Sequence, residues 1–139
     1  MAIGGRIRIL TRMACRISEV VIDVDDPERL SAFWAEVLGY VELDREDDGS
    51  IEIGPNDTGF GGPQPSLILS PTIDPRPKKL RLHIDVSPTD REQGAELERL
   101  LALGARRVDV GQSGTENWHV LADPEGNEFC LLHHRIEPV

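Results

Sequence analysis

Hydrophobic and polar residues alternate along two segments of the chain, and the alternation has the period of a half-buried strand. Residues 17–24 place apolar side chains on one face and Glu19 on the other. Residues 80–86 repeat the pattern, with His83 on the polar face. The two segments therefore predict two equivalent strands, each with a titratable side chain opposite its apolar face.

Each predicted strand leads into a helical pattern that ends at a Leu-Gly pair. The first helix begins at Asp26-Pro27, where a carboxylate can cap the helix and proline fits the first turn. The second helix is predicted at about residues 90–103. Gly39 and Gly104 are placed to adopt the left-handed conformation that ends a helix.

Further strands complete two copies of one βαβββ module. They are predicted at about residues 40–46, 50–53, 66–71, 105–110, 117–122 and 127–133. Asp47-Asp48-Gly49 is a hairpin signal, and Asp123 to Asn127 predict a tight turn. The modules, at about residues 16–71 and 79–134, predict an α+β fold with helices on the outer sheet faces.

Composition narrows the class of protein. With 139 residues, 39% hydrophobic and 29% charged, the chain is predicted to form one soluble domain over residues 16–139. Residues 1–15 do not continue the pattern and are predicted to be a poorly ordered extension. The formal net charge of −10 disfavours nucleic acid as a partner. No apolar run has the length of a membrane span or a signal-peptide core, which predicts a cytoplasmic protein with Cys15 and Cys130 reduced.

Several motifs together resemble the vicinal oxygen chelate superfamily, and within it the small bacterial glyoxalase-like (glyoxalase/bleomycin-resistance/dioxygenase) proteins. The motifs are Asp25-Asp26-Pro27, Phe33-Trp34, Leu38-Gly39-Tyr40 and the run from Asp123 to Cys130. The resemblance covers about residues 16–134. It implies paired βαβββ modules that form a curved mixed sheet around a cup, and a homodimer as in many relatives. It does not imply one reaction, because the superfamily contains lyases, isomerases, dioxygenases, epimerases and non-catalytic drug-binding proteins.

The resemblance also implies positions for a metal site. Enzymes of the superfamily hold a divalent metal with one side chain each from strands 1, 4, 5 and 8. The matching positions here are Glu19, Ser70, His83 and Cys130. Ser70 and Cys130 depart from the carboxylate or amide usual at those positions, and an alternative register would replace His83 by Arg81. Glu128, two residues before Cys130 on the same strand face, would restore a metal set of His83, Glu19 and Glu128.

Two classes of function follow, and the sequence leaves open whether the chain is an enzyme. One is a protein that binds a small organic ligand in the cup without a complete metal site; the other is a metal-dependent lyase, isomerase or epimerase. Glu19 and His83 are the candidate catalytic residues, as proton-transfer groups or metal ligands. The candidate ligand-binding residues are Ser70, Arg81, Asp85, Trp118, Glu128 and Cys130.

Each of these candidates also has a structural interpretation. His83 can simply hydrogen-bond Asp85, Glu19 or water, and Glu19 can form an ion pair in the cavity wall. Trp118 either packs in the core or lines the cavity. Because two of the four matched positions offer poor ligands, we expect no tightly held hard metal ion, although a divalent metal stays open through Glu128.

Overall fold

The computed structural model describes residues 16–73 and 82–138, and within them the chain forms two helices and eight strands. In chain order the elements are β1 (Glu19–Val24), α1 (Pro27–Leu38), β2 (Val41–Arg45), β3 (Ile51–Gly54), β4 (Ser66–Pro71), β5 (Ile84–Val86), α2 (Gln93–Leu103), β6 (Arg106–Arg107), β7 (His119–Ala122) and β8 (Glu128–Leu131). The predicted extension over residues 1–15 lies outside the described residues.

The strands form two four-stranded mixed sheets, one from each module. Sheet A has the order β1-β4-β3-β2, and sheet B has the order β5-β8-β7-β6. In both sheets the first strand of the module pairs in parallel with the last strand, and the other pairs are antiparallel. The α+β prediction is confirmed, and the second module repeats the topology of the first.

Local sequence signals explain the ends of α1. The Asp26 carboxylate accepts a hydrogen bond from the backbone N–H of Arg29 at 3.1 Å, and Pro27 occupies the first helical position. Gly39 ends α1 with a φ of 68°, and Gly104 ends α2 with a φ of 118°. Both predicted helix ends are therefore confirmed.

The second module is more irregular than its sequence pattern predicts. β5 begins at Ile84, because Leu82 and His83 before it are not in a strand; the predicted start of this strand, residues 80–81, lies outside the described residues. β6 has two residues rather than six. The helix α2 begins at Gln93 rather than near Asp90, with Glu92 as its N-cap residue. The Asp90 carboxylate does not cap it and instead accepts a hydrogen bond from Nε of Arg91 at 3.1 Å.

One apolar core joins the two modules. Phe33 and Trp34 of α1 contact each other edge to face at 5.3 Å between ring centroids, and Trp34 contacts Phe129 of β8 at 5.1 Å. Leu97 and Leu100 of α2 belong to the same buried cluster. The helices therefore cover one face of the sheets. In residues 16–73 and 82–138, no helix has the length and apolar character needed to cross a membrane.

The tight turn of the second module holds the helix of the first module. The indole Nε1 of Trp34 donates to Oδ2 of the buried Asp123 at 3.1 Å. The carboxylate of Glu125 accepts the backbone N–H groups of Asp25 and Asp26, each at 2.8 Å. The motifs at the start of α1 and in the turn are thus two halves of one contact.

Candidate functional site

The two faces of β1 differ in exposure. Val24 is 0% exposed and belongs to the core, whereas Val21 is 55% exposed. Glu19 and Asp23 are also exposed and share the face of Val21, because side chains alternate along a strand. We call the side of sheet A that carries these residues the open face of sheet A, since the helices pack on the other side.

Strand pairing extends the open face of sheet A onto β4. In the parallel register Glu19 lies across from Ser66, and Asp23 lies across from Ser70. Ser70 is therefore on the same face of the sheet as Glu19, and its direct neighbour across the strands is Asp23. The hydroxyl of Ser50 donates to Oγ of Ser70 at 3.3 Å.

Two further polar residues of this face, Ser66 and Glu52, were not among the site residues predicted from the sequence. The hydroxyl of Ser66 donates to Oε1 of Glu52 at 2.7 Å, and Glu52 lies across from Ile68 of β4 on the open face. The alternation of Glu52 between the buried Ile51 and Ile53 was the available signal. The face thus carries carboxylates and hydroxyls around a small apolar centre.

Sheet B has a corresponding open face. Asp85 of β5 lies across from Cys130 of β8, and both are opposite the side of the buried Phe129 and Leu131. Nε2 of His83 lies 3.0 Å from Oδ1 of Asp85. The ligand atoms of His83, Asp85 and Cys130 all lie within 4.8 Å of one another.

The electrostatics of this group favour a neutral thiol. Burial raises the pKa of Cys130, and the charge and hydrogen bond of Asp85 and the charge of Glu128 raise it further. Asp85 is the shared neighbour, in contact with His83 and within reach of the Cys130 sulfur. Because the base and the thiol both approach a carboxylate, the arrangement does not activate Cys130 as a nucleophile in the way a histidine next to a cysteine would.

The four residues matched to the superfamily's metal positions are distributed over both modules. Glu19 and Ser70 lie on the open face of sheet A, Cys130 lies on β8, and His83 immediately precedes β5. Among the described residues, the group that the fold brings together is His83, Cys130 and Asp85, without Glu19 or Glu128.

The residues at the matched positions do not fit a hard divalent ion. An octahedral Mg²⁺ or Mn²⁺ site needs several oxygen or imidazole ligands. Ser70 is a neutral hydroxyl already engaged by Ser50, and Cys130 offers a sulfur atom. The chain's donors therefore depart from the ligand set that the superfamily's enzymes use.

The remaining candidate residues lie as follows. Trp118 is 44% exposed immediately before β7, so it is not a core residue. Glu128 is half-buried at the start of β8, across from Ala122. Arg81 lies outside the described residues.

Comparisons with known proteins agree with this architecture. Residues 19–132 match the family model described as "Glyoxalase-like domain". A search of curated proteins finds no match.

Solved structures share the fold at low sequence identity. The fosfomycin resistance protein FosX from Listeria monocytogenes aligns with a TM-score of 0.65 and 17% identity, over 89% of this chain and 93% of that chain. The antibiotic binding protein TnmS3 from Streptomyces sp. CB03234 gives 0.60 and 18%, over 88% and 98%. A glyoxalase/bleomycin resistance protein/dioxygenase family enzyme from Burkholderia phytofirmans PsJN gives 0.58 and 20%, over 84% and 97%. The family match over residues 19–132 shows that this chain belongs to the glyoxalase-like domain family, and the repeated βαβββ topology agrees with it.

Proposed function

We propose that this chain binds a small organic molecule in a cup formed by the open faces of its two sheets, without the hard-metal site of the superfamily's enzymes. The observation that carries the proposal is the composition of the open face of sheet A. There the 55% exposed Val21 lies between the carboxylates of Glu19 and Asp23, on the face opposite the one on which α1 packs. An apolar surface with a few polar anchors is the usual composition of a small-molecule site.

The polar anchors indicate the chemistry of the ligand. The open face of sheet A offers the carboxylates of Glu19, Asp23 and Glu52, and ionised carboxylates only accept hydrogen bonds. A ligand that donates hydrogen bonds, through amine or hydroxyl groups, therefore complements this face better than an anion does.

Proteins with the same fold support a binding role. TnmS3 is named as an antibiotic binding protein. A FosX mutant was crystallised with Mn(II) and 1S,2S-dihydroxypropylphosphonic acid. One neighbour is thus named for binding an antibiotic, and the other was crystallised with a metal ion and a small organic molecule. The donor set of this chain favours binding without a hard metal.

A metal-dependent lyase, isomerase or epimerase is the second candidate. The proximity of His83 to Asp85 favours it, since a histidine oriented by a carboxylate is a common metal ligand and general base. In such an enzyme Glu19 or His83 would move the proton. Ser70 and Cys130 at two matched positions count against it, for the reason given above.

A thermal-shift screen tests the proposal. Untagged protein is heated with a panel of amines, polyols and matched anions, with and without EDTA. A ligand at 100 times its Kd stabilises the native state by about 2.7 kcal/mol, which corresponds to a rise in Tm of roughly 10 °C for a chain of this size. We expect hydrogen-bond donors to give the shifts, and EDTA to leave them unchanged.

Two variants locate the binding. Glu19→Gln removes a charge from the open face, and it should reduce the shift given by a hit. Glu46→Gln removes an exposed charge near the β2–β3 hairpin, and it should leave the shift unchanged. Hits that EDTA abolishes would show that binding needs a metal ion and would contradict the metal-free proposal. Hits that respond equally to both variants would contradict binding on this face.

A further inference from the structure

The group of His83, Asp85 and Cys130 has the dimensions of a small metal site. Nε2 of His83 and Oδ1 of Asp85 are 3.0 Å apart, and the Cys130 sulfur lies within 4.8 Å of both. The ligands of a tetrahedral Zn²⁺ are separated by about 3.3–3.7 Å, as follows from Zn–N and Zn–O bonds near 2.0 Å and Zn–S bonds near 2.3 Å. Small side-chain rotations therefore suffice to bring the three atoms around one ion.

The required rotations meet little resistance. The side chains of His83 and Asp85 are 57% and 45% exposed, so neither is locked by packing. Cys130 is fixed in β8 across from Asp85, which sets the spacing of the sulfur and the carboxylate. The strand pairing thus supplies two donors, and the residue preceding β5 supplies the third.

The donor chemistry selects the kind of ion. Sulfur, imidazole and carboxylate are the three ligand types that Zn²⁺ accepts together, whereas Mg²⁺ and Mn²⁺ prefer oxygen. We propose that His83, Asp85 and Cys130 form a three-ligand site for Zn²⁺ or a similar thiophilic divalent cation, confined to the second module. Binding transfers the thiol proton of Cys130 to the buffer as the sulfur–metal bond forms, so the site carries one thiolate.

This site keeps two of the four positions matched to the superfamily's set, His83 and Cys130, and differs from that set in its third ligand and in its consequence. It uses neither Glu19 nor Ser70, and Asp85 takes a role that the matched strand positions do not predict. Three protein ligands leave the fourth position of a tetrahedral ion to water or to a ligand atom. The exposed side chains of His83 and Asp85 place that position on the solvent side of sheet B.

Cobalt titration of the untagged protein tests the proposal. The Cys15→Ala background leaves Cys130 as the remaining thiol of the two in the sequence. We expect one Co²⁺ per chain, with a thiolate-to-cobalt charge-transfer band and the strong visible absorption of a tetrahedral complex, and displacement by Zn²⁺ but not by Mg²⁺. Loss of a residue that only hydrogen-bonds to a metal ligand weakens metal affinity by about 10–100-fold. Cys130→Ala and Asp85→Asn each remove a ligand itself, so they should weaken Zn²⁺ binding at least that much.

Matched variants make the outcome decisive. His134→Ala and Asp47→Asn remove an exposed histidine and an exposed carboxylate elsewhere, and both should retain full Zn²⁺ affinity. Cys130→Ser replaces Cys130→Ala if the alanine variant does not fold by circular dichroism. A cobalt complex without the thiolate band would overturn the proposal. A second result would also overturn it: Mn²⁺ binds as tightly as Zn²⁺, and this binding is abolished by Glu19→Gln or Glu128→Gln but not by Cys130→Ala.

Discussion

The substitution Asp123→Asn is predicted to destabilise the fold although it hardly changes the shape of the side chain. Asp123 is 0% exposed, and its carboxylate accepts four hydrogen bonds. Oδ1 accepts the backbone N–H of Glu125 at 3.0 Å and of Asn127 at 2.9 Å, and Oδ2 accepts Trp34 Nε1 at 3.1 Å and Asn127 Nδ2 at 2.8 Å. An asparagine offers one oxygen and one NH₂ group, so in either orientation two donors face a nitrogen.

The size of the effect follows from these bonds. A hydrogen bond to a charged group contributes roughly 1.5–3 kcal/mol, and two are lost. Removal of a buried charge offsets part of the loss, so we expect Asp123→Asn to lower the free energy of unfolding by about 2–4 kcal/mol. That is a large part of the roughly 5–15 kcal/mol typical of a domain. With a urea m-value of about 1–3 kcal/mol/M, the midpoint should fall by roughly 1–2 M.

Urea unfolding followed by far-UV circular dichroism measures the change. Asp47→Asn is the control, because Asp47 is exposed in a hairpin and should shift stability by no more than about 0.5 kcal/mol. In a Trp34→Phe background the indole donor is absent, and Asp123→Asn should cost about 1 kcal/mol less. Asp123→Asn within about 0.5 kcal/mol of the parent protein, or strict additivity with Trp34→Phe, would refute the reasoning.

Four further predictions concern other parts of the molecule. Glu125→Gln keeps one acceptor oxygen for the two backbone N–H groups before α1, so it should lower stability by about 1 kcal/mol in the same urea assay; no change would mean that this contact does not hold α1. Burial raises the pKa of Cys130, so iodoacetamide should alkylate it slowly at neutral pH, and Asp85→Asn should speed the reaction; equal rates would contradict the role of that charge. Hydrogen bonds from its loop, first among them the backbone N–H of Ser113, lower the pKa of Glu116 from 4.5 to about 2. Any stability this carboxylate contributes is therefore present above pH 4.5 and is lost as the pH falls through about 2, and an NMR titration that gives an ordinary value would disprove the loop geometry. We also expect a homodimer in sedimentation, and a monomer from micromolar to near-millimolar concentration would argue against it.

The sequence predicted the elements of the first module well because their signals are local. Asp26-Pro27 and Gly39 set the ends of α1 through hydrogen bonding and backbone conformation within a few residues. In the second module the predicted β6 was longer than the observed strand, because the strand ends at Arg107 and the chain continues as the loop before β7. Residues 80–81 of the predicted fifth strand lie outside the described residues.

The sequence likewise predicted some features of the candidate site and not others. Alternation along β1 correctly placed Glu19 and Asp23 on one face, since the period of a strand is a property of the chain itself. Which residue lies across from Glu19 depends on the parallel register with β4, which the sequence did not predict, and the structure gives Ser66.

Asp85 shows most clearly what the sequence alone could not predict. The sequence placed it on the face of His83, but its position across from Cys130 comes from the parallel pairing of β5 with β8. That pairing brings together residues 45 positions apart in the printed sequence, from 85 to 130. Short-range patterns determine which way a side chain points. The packing of distant strands decides what it meets there, because register is set by burial of the whole apolar face and not by any single residue.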